Sequence, residues 1–97
     1  MPISDARVAT DQASRYLQQL CKHWSHKFTV EFSAERGSID FGEGRSCALS
    51  ADAEALVLQL TLPDGEDAER MEGVVAEHLR RFAFREDLAV AWSRRGA

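Results

Sequence analysis

Residues 66–92, EDAERMEGVVAEHLRRFAFREDLAVAW, decide the fold. Met71, Val74, Val75, Leu79 and Phe82 recur at the i, i+3, i+4 spacings that gather on one face of a helix. The pattern predicts a helix over residues 66–84, roughly 28 Å long at ~1.5 Å per residue. Pro63-Asp64-Gly65 stops the preceding element, and Asp64 or Asp67 is placed to cap the helix. Glu86-Asp87 then turn the chain, and Leu88, Val90 and Trp92 alternate as in a strand. His78 falls inside the apolar stripe, which makes an imidazole among core residues the most informative feature of the chain. Gly73, inside the same helix, costs about 1 kcal/mol relative to alanine, and its small size suggests close packing there.

Upstream, a second amphipathic helix is predicted. Thr10 reads as its N-cap, with Asp11 in the first turn where a negative charge suits the helix dipole. Ala13, Tyr16, Leu17, Leu20, Cys21 and Trp24 line one side, and the helix should end near Trp24 or Ser25. Residues 1–9 show no clear period and read as a loose lead-in or an edge strand. Between the helices come four strand signals. Phe28, Val30 and Phe32 alternate first; Arg36-Gly37 marks a turn; Ile39 and Phe41 alternate next. Gly42-Glu43-Gly44 closes a hairpin, because such turns need positive φ. Cys47 and Leu49 point inward on a third strand, and Leu56, Leu58, Leu60 and Leu62 on a fourth.

The order α-β-β-β-β-α-β implies an α+β fold: an antiparallel sheet of four to five strands with both helices stacked on one face. The opposite face would carry Thr29, Glu31, Asp40, Gln59 and Thr61, polar enough for water. The last strand would pair with the meander edge or with a second chain. Residues 1–97 suit one domain, with 93–97 as a frayed tail.

Composition narrows the function. Twelve Lys+Arg against 16 Asp+Glu give a formal charge of -4, which argues against nonspecific nucleic-acid or anionic-membrane binding. Arg80, Arg81 and Arg85 are set among Glu77, Glu86 and Asp87 and so make a mixed surface. No run is long enough to span a membrane, and MPISDARVAT lacks the apolar core of a signal peptide. Cys21 and Cys47 fall on apolar sides, as reduced cysteines of a cytoplasmic protein do.

The segments ASRYLQQLCKHWSHKFTVEF, GSIDFGEGRSCALSADAEALVLQL and EGVVAEHLRRFAFREDLAVAW resemble the bacterial family known as domain of unknown function 2218. The resemblance runs over residues 9–92, in order. It places weight on Arg15, Tyr16, Leu20, His23, His78, Leu79, Arg81, Phe82 and Trp92. The family's usual proline early in the first helix is Asp11 or Gln12 here, a departure that concerns capping. The resemblance carries no catalytic residue. It implies a setting: small bacterial domains, free-standing or beside siderophore-interacting flavin reductases and iron-uptake components. A siderophore-interacting reductase is therefore the implied partner.

Several site readings follow from the residues. The plain reading of His78 is a core histidine held neutral by hydrogen bonds, Tyr16 among the candidate partners. The functional reading joins it to His23, on the flank of the first helix's stripe, and to Arg81, similarly placed in the second. Side-by-side helices would bring His23, His78 and Arg81 to one seam, suited to a small anion, a carboxylate or an iron chelate. Iron or another divalent metal on His23 and His78 is the alternative, and it lacks an evident third ligand. Cys21-x-His23-x-x-His26 imitates a zinc spacing, but Cys21 and His23 point to different sides of a helix. No nucleophile elbow, nucleotide loop or His-Glu-x-x-His motif occurs. The expectation is a binding module. The alternatives are a homodimeric or interaction domain paired through an edge such as 88–92, and an enzyme using a buried histidine as acid or base.

Overall fold

The computed structural model describes residues 2–84 and 86–95. In chain order the elements are β1 (Ile3–Ala9), α1 (Ala13–Trp24), β2 (Thr29–Phe32), β3 (Arg36–Gly42), β4 (Arg45–Ala51), β5 (Ala55–Thr61), α2 (Ala68–Phe82) and β6 (Trp92–Arg95). All six strands join one antiparallel sheet, in the order β2-β3-β4-β5-β1-β6. The α+β architecture expected from the sequence is present, with one or two strands more than expected.

Strand register explains the two faces. Ala6 stands opposite Leu58, Leu58 opposite Leu49, and Leu49 opposite Gly37, so one row of side chains crosses the sheet beneath the helices. Val8, Ile39, Cys47, Leu56 and Leu60 extend that buried face. From above it is closed by Leu17, Leu20 and Cys21 of α1 and by Val75 and Leu79 of α2, in one apolar cluster. The other face carries Thr29 opposite Asp40 and Gln59 opposite Asp5. At the β3–β4 hairpin Gly42, Glu43 and Gly44 all have positive φ, as that turn demands.

β1 corrects the reading of residues 1–9 as a loose lead-in; Met1 lies outside the described residues. Its inward side chains are Ser4, Ala6 and Val8, while Ile3 lies on the other side. Two small residues inside and a large apolar one outside blur the alternation that marks a strand. The strand is not at an edge either, since β5 and β6 flank it.

The last strand is also shifted. Residues 88–91 form no regular element, Leu88 is buried, and β6 begins at Trp92, which stands opposite Ala6. Arg94 and Arg95, expected in a frayed tail, belong to this strand, while residues 96 and 97 lie outside the described part of the chain. Arg36-Gly37 opens β3 rather than turning the chain; the turn is closed earlier, where Ser33 N donates to Arg36 O at 2.7 Å. Helix α1 starts after Gln12 rather than Thr10, because the Thr10 hydroxyl accepts from Gln12 N at 3.1 Å and donates to Glu86 at 3.0 Å.

Helix α2 is rotated about its axis relative to the expected stripe. Its buried residues are Glu72, Val75, Ala76 and Leu79, a face turned by roughly 80° from the predicted one at ~100° per residue. Met71, Val74, His78 and Phe82 are half-buried along the neighbouring flank. A glutamate takes the core position because its charge is met. Arg94 donates to Glu72 twice, at 2.9 and 3.0 Å, and the Ser4 hydroxyl donates at 2.6 Å. The arginine beside it holds the Glu72 carboxyl below its ordinary range against the opposing effect of burial, with Ser4 adding to the shift. Asp67 caps the helix, accepting from Arg70 N at 3.2 Å. Gly73 faces open space, with nothing among the described residues within 4 Å of a Cβ built there beyond its own helix's backbone, so the close packing expected of it is absent among them.

Candidate functional site

The rotation of α2 sets His78 on the rim of a groove instead of in the core. The C-terminal turn of α1 supplies His23 and Trp24 to this groove, and the chain beyond it supplies His26, Lys27 and Phe28. Phe41 of β3 and Arg45 of β4 line the floor side, and Met71, Val74 and His78 of α2 the opposite wall. The groove encloses about 430 Å³, within the ~300–1,000 Å³ span of small-molecule sites.

Ring packing fixes its walls. The centroids of His23 and His78 are 5.4 Å apart, and those of Trp24 and His78 are 5.0 Å apart. Phe41 meets Trp24 edge-on at 5.4 Å and Phe28 edge-on at 5.0 Å. His78 Nδ1 lies 2.7 Å from Val74 O. A carbonyl only accepts, so Nδ1–H is the donor of this hydrogen bond.

Of the three residues expected at one seam, His23, His78 and Arg81, two meet. The rings of His23 and His78 are adjacent. Arg81 is not with them: its guanidinium pairs with Glu77 one turn back at 3.0 Å, and its side chain is 66% exposed. Tyr16 is also elsewhere. It is buried under α1, and its hydroxyl donates to Glu86 and not to His78. That bond raises the phenol's pKa, since the carboxylate prefers it protonated, with burial acting the same way.

Other readings are settled by burial. Cys21 and Cys47 are free, buried thiols, pushed by desolvation to about 11 and about 12. Cys21 therefore belongs to the core while His23 and His26 are exposed, so the three do not chelate together. Among the described residues no three His, Cys, Asp or Glu side chains gather as a metal-binding group. No helix is long and apolar enough to cross a membrane, among the described residues.

The residues that sequence reading passed over are Phe28, Phe41 and Arg45. Alternation placed both phenylalanines in the core, yet they are half-buried at its border. Arg45 follows the Gly42-Glu43-Gly44 turn, and its position after a tight hairpin was the available signal.

The model of a family described as an uncharacterized protein conserved in bacteria (DUF2218) matches residues 5–93. The chain belongs to that family. A solved structure, the NMR structure of PA4090 from Pseudomonas aeruginosa, is similar at 45% identity and a TM-score of 0.78, over 96% of each chain. No curated protein matches the chain significantly. The matched residues include every residue that lines the groove.

Proposed function

We propose that this family member is a non-catalytic binding module, and that the groove between α1, α2 and the β3–β4 hairpin holds its ligand. One observation carries the reading: two imidazoles from different helices stand 5.4 Å apart at the end of a concave, aromatic-walled surface. Such a surface combines apolar area with a few directed polar groups, the usual makeup of a small-molecule site. The setting implied by the family resemblance, beside siderophore-interacting reductases, makes an iron chelate the first ligand to test. His23 and His78 supply its polar contacts, while Arg81 and Tyr16 are engaged elsewhere.

The test is titration of the protein with ferric siderophores and, separately, with divalent metals, following the histidine ring signals by NMR. Binding in the groove moves His23 and His78, and His23→Ala or His78→Ala weakens it by tenfold or more. Unmoved ring signals throughout would overturn the reading. Formation of a new product during the titration would favour the acid–base role instead.

One observation favours a second reading, pairing between copies along a strand edge. Phe32 on edge strand β2 is 43% exposed. Light scattering on the wild type and on Phe32→Asp separates the two, because only a β2-mediated dimer dissociates.

A further inference from the structure

His23 of α1 and His78 of α2 bring their ring centroids to 5.4 Å, with the rings tilted by 44°. At a metal–nitrogen distance of ~2.0–2.1 Å, with each ring centre about 1.2 Å behind its nitrogen, two imidazoles on one tetrahedral ion have their centres roughly 5.2 Å apart. Right-angled positions on an octahedral ion would bring the centres to roughly 4.5 Å, and opposite positions to roughly 6.4 Å. The observed spacing fits the tetrahedral case.

Ring nitrogens are available for it. His78 Nδ1–H is held by Val74 O at 2.7 Å, the outer hydrogen bond to a carbonyl by which metal-binding histidines are oriented. That leaves His78 Nε2, which is not shut off from solvent: among the described residues only Gln19 Oε1 and Arg45 Nε are both buried and unpaired. His23 is exposed, and no described group hydrogen-bonds its nitrogens. Phe82, edge-on at 5.7 Å, and Trp24, at 6.2 Å, flank its ring. Among the described residues no third His, Cys, Asp or Glu completes a metal-binding group with the pair. A closed structural site has four protein ligands, so two imidazoles leave half of a tetrahedral shell to an outside ligand. Arg45 lines the same groove, but Glu43 and Glu66 offset its charge.

We infer that His23 and His78 are the two protein ligands of a tetrahedral divalent cation of the Zn²⁺ class, with the two remaining positions open to a small bidentate ligand. The inference rests on the groove being a binding site, as proposed above, and names what the imidazoles bind there. It differs from a whole ferric siderophore, whose metal is already enclosed and which would meet the imidazoles through hydrogen bonds.

The test titrates Zn²⁺ and, separately, Co²⁺ into the wild type, His23→Gln and His78→Gln. In the wild type Zn²⁺ should move both ring signals in NMR. Co²⁺ should develop the intense visible bands of a tetrahedral ion, Zn²⁺ should bleach them, and acetohydroxamate should change them without releasing the metal. Each glutamine variant should lose the bands and bind about tenfold more weakly or worse. Where His78→Gln proves poorly folded, His23→Gln decides, because that side chain is exposed: retained bands overturn the inference. Co²⁺ bound with only the weak bands of an octahedral ion would also overturn it. Ring signals that answer ferric siderophores but neither metal would overturn this inference and leave the binding-module reading standing, whereas signals that answer nothing would overturn both.

Discussion

A Cβ built on Gly37 would stand 2.7 Å from Cys21 Sγ, 3.3 Å from Phe32 Cβ and 3.4 Å from Leu17 Cδ2. The glycine in β3 is what lets α1 lie close to the sheet. Gly37→Ala should lower stability by about 1–3 kcal/mol, the usual range for overpacking, and Cys21→Ala in the same chain should recover much of the loss. Urea unfolding of both variants checks it. Gly73 is the opposite case, a helical glycine facing open space. Gly73→Ala should stabilise the protein by about 1 kcal/mol, a rise in melting temperature of about 4–8 °C for a domain of this size. A fall would show that the position is packed after all. Neither outcome was legible in the sequence, where Gly37 lies in a polar stretch that reads as a turn and Gly73 inside a helical pattern. Whether a Cβ fits depends on a neighbour 16 residues away in one case, and on the lack of any in the other.

Among the elements, α2 carries the main lesson. Periodicity found the helix and placed its N-cap within reach, but put the apolar face roughly 80° from where it lies at ~100° per residue. Sequence patterning assumes that a glutamate faces water. Glu72 is 5% exposed, because Ser4 of β1 and Arg94 of β6 meet it. With its pKa held below the ordinary 4.5, Glu72 contributes stability that is present above that value and lost as pH falls through the folded pKa. Wild-type urea midpoints should therefore drop between pH 6 and pH 3 more steeply than those of Glu72→Gln. Parallel pH profiles would mean that the pair does not hold α2 to β6. The candidate site depends on this arrangement too, since the same rotation turns His78 out to the groove beside His23.

Across the whole molecule, the sheet order places the chain's first strand between β5 and β6. Removing residues 1–9 should abolish cooperative unfolding and NMR dispersion, because it takes away an inner strand and leaves β6 without a neighbour. A truncated chain that still unfolds cooperatively would contradict the topology. The meander of β2 to β5 was readable because each strand has one apolar face and each connection is short. β1 and β6 were not: Ser4 and Arg94 occupy their inward positions, and polar residues there erase the pattern.

The sequence by itself determined the two helices and the four-strand meander, which follow from local periodicity along single elements, and it carried the family resemblance; that His23 meets His78 was decided by how the two helices pack. Only the tertiary structure decided the places of β1 and β6, the rotation of α2 and the separation of Arg81 and Tyr16 from the imidazoles. Those depend on hydrogen bonds between groups up to 90 residues apart, and a partner that distant changes which side chain is buried without leaving a mark in the local pattern.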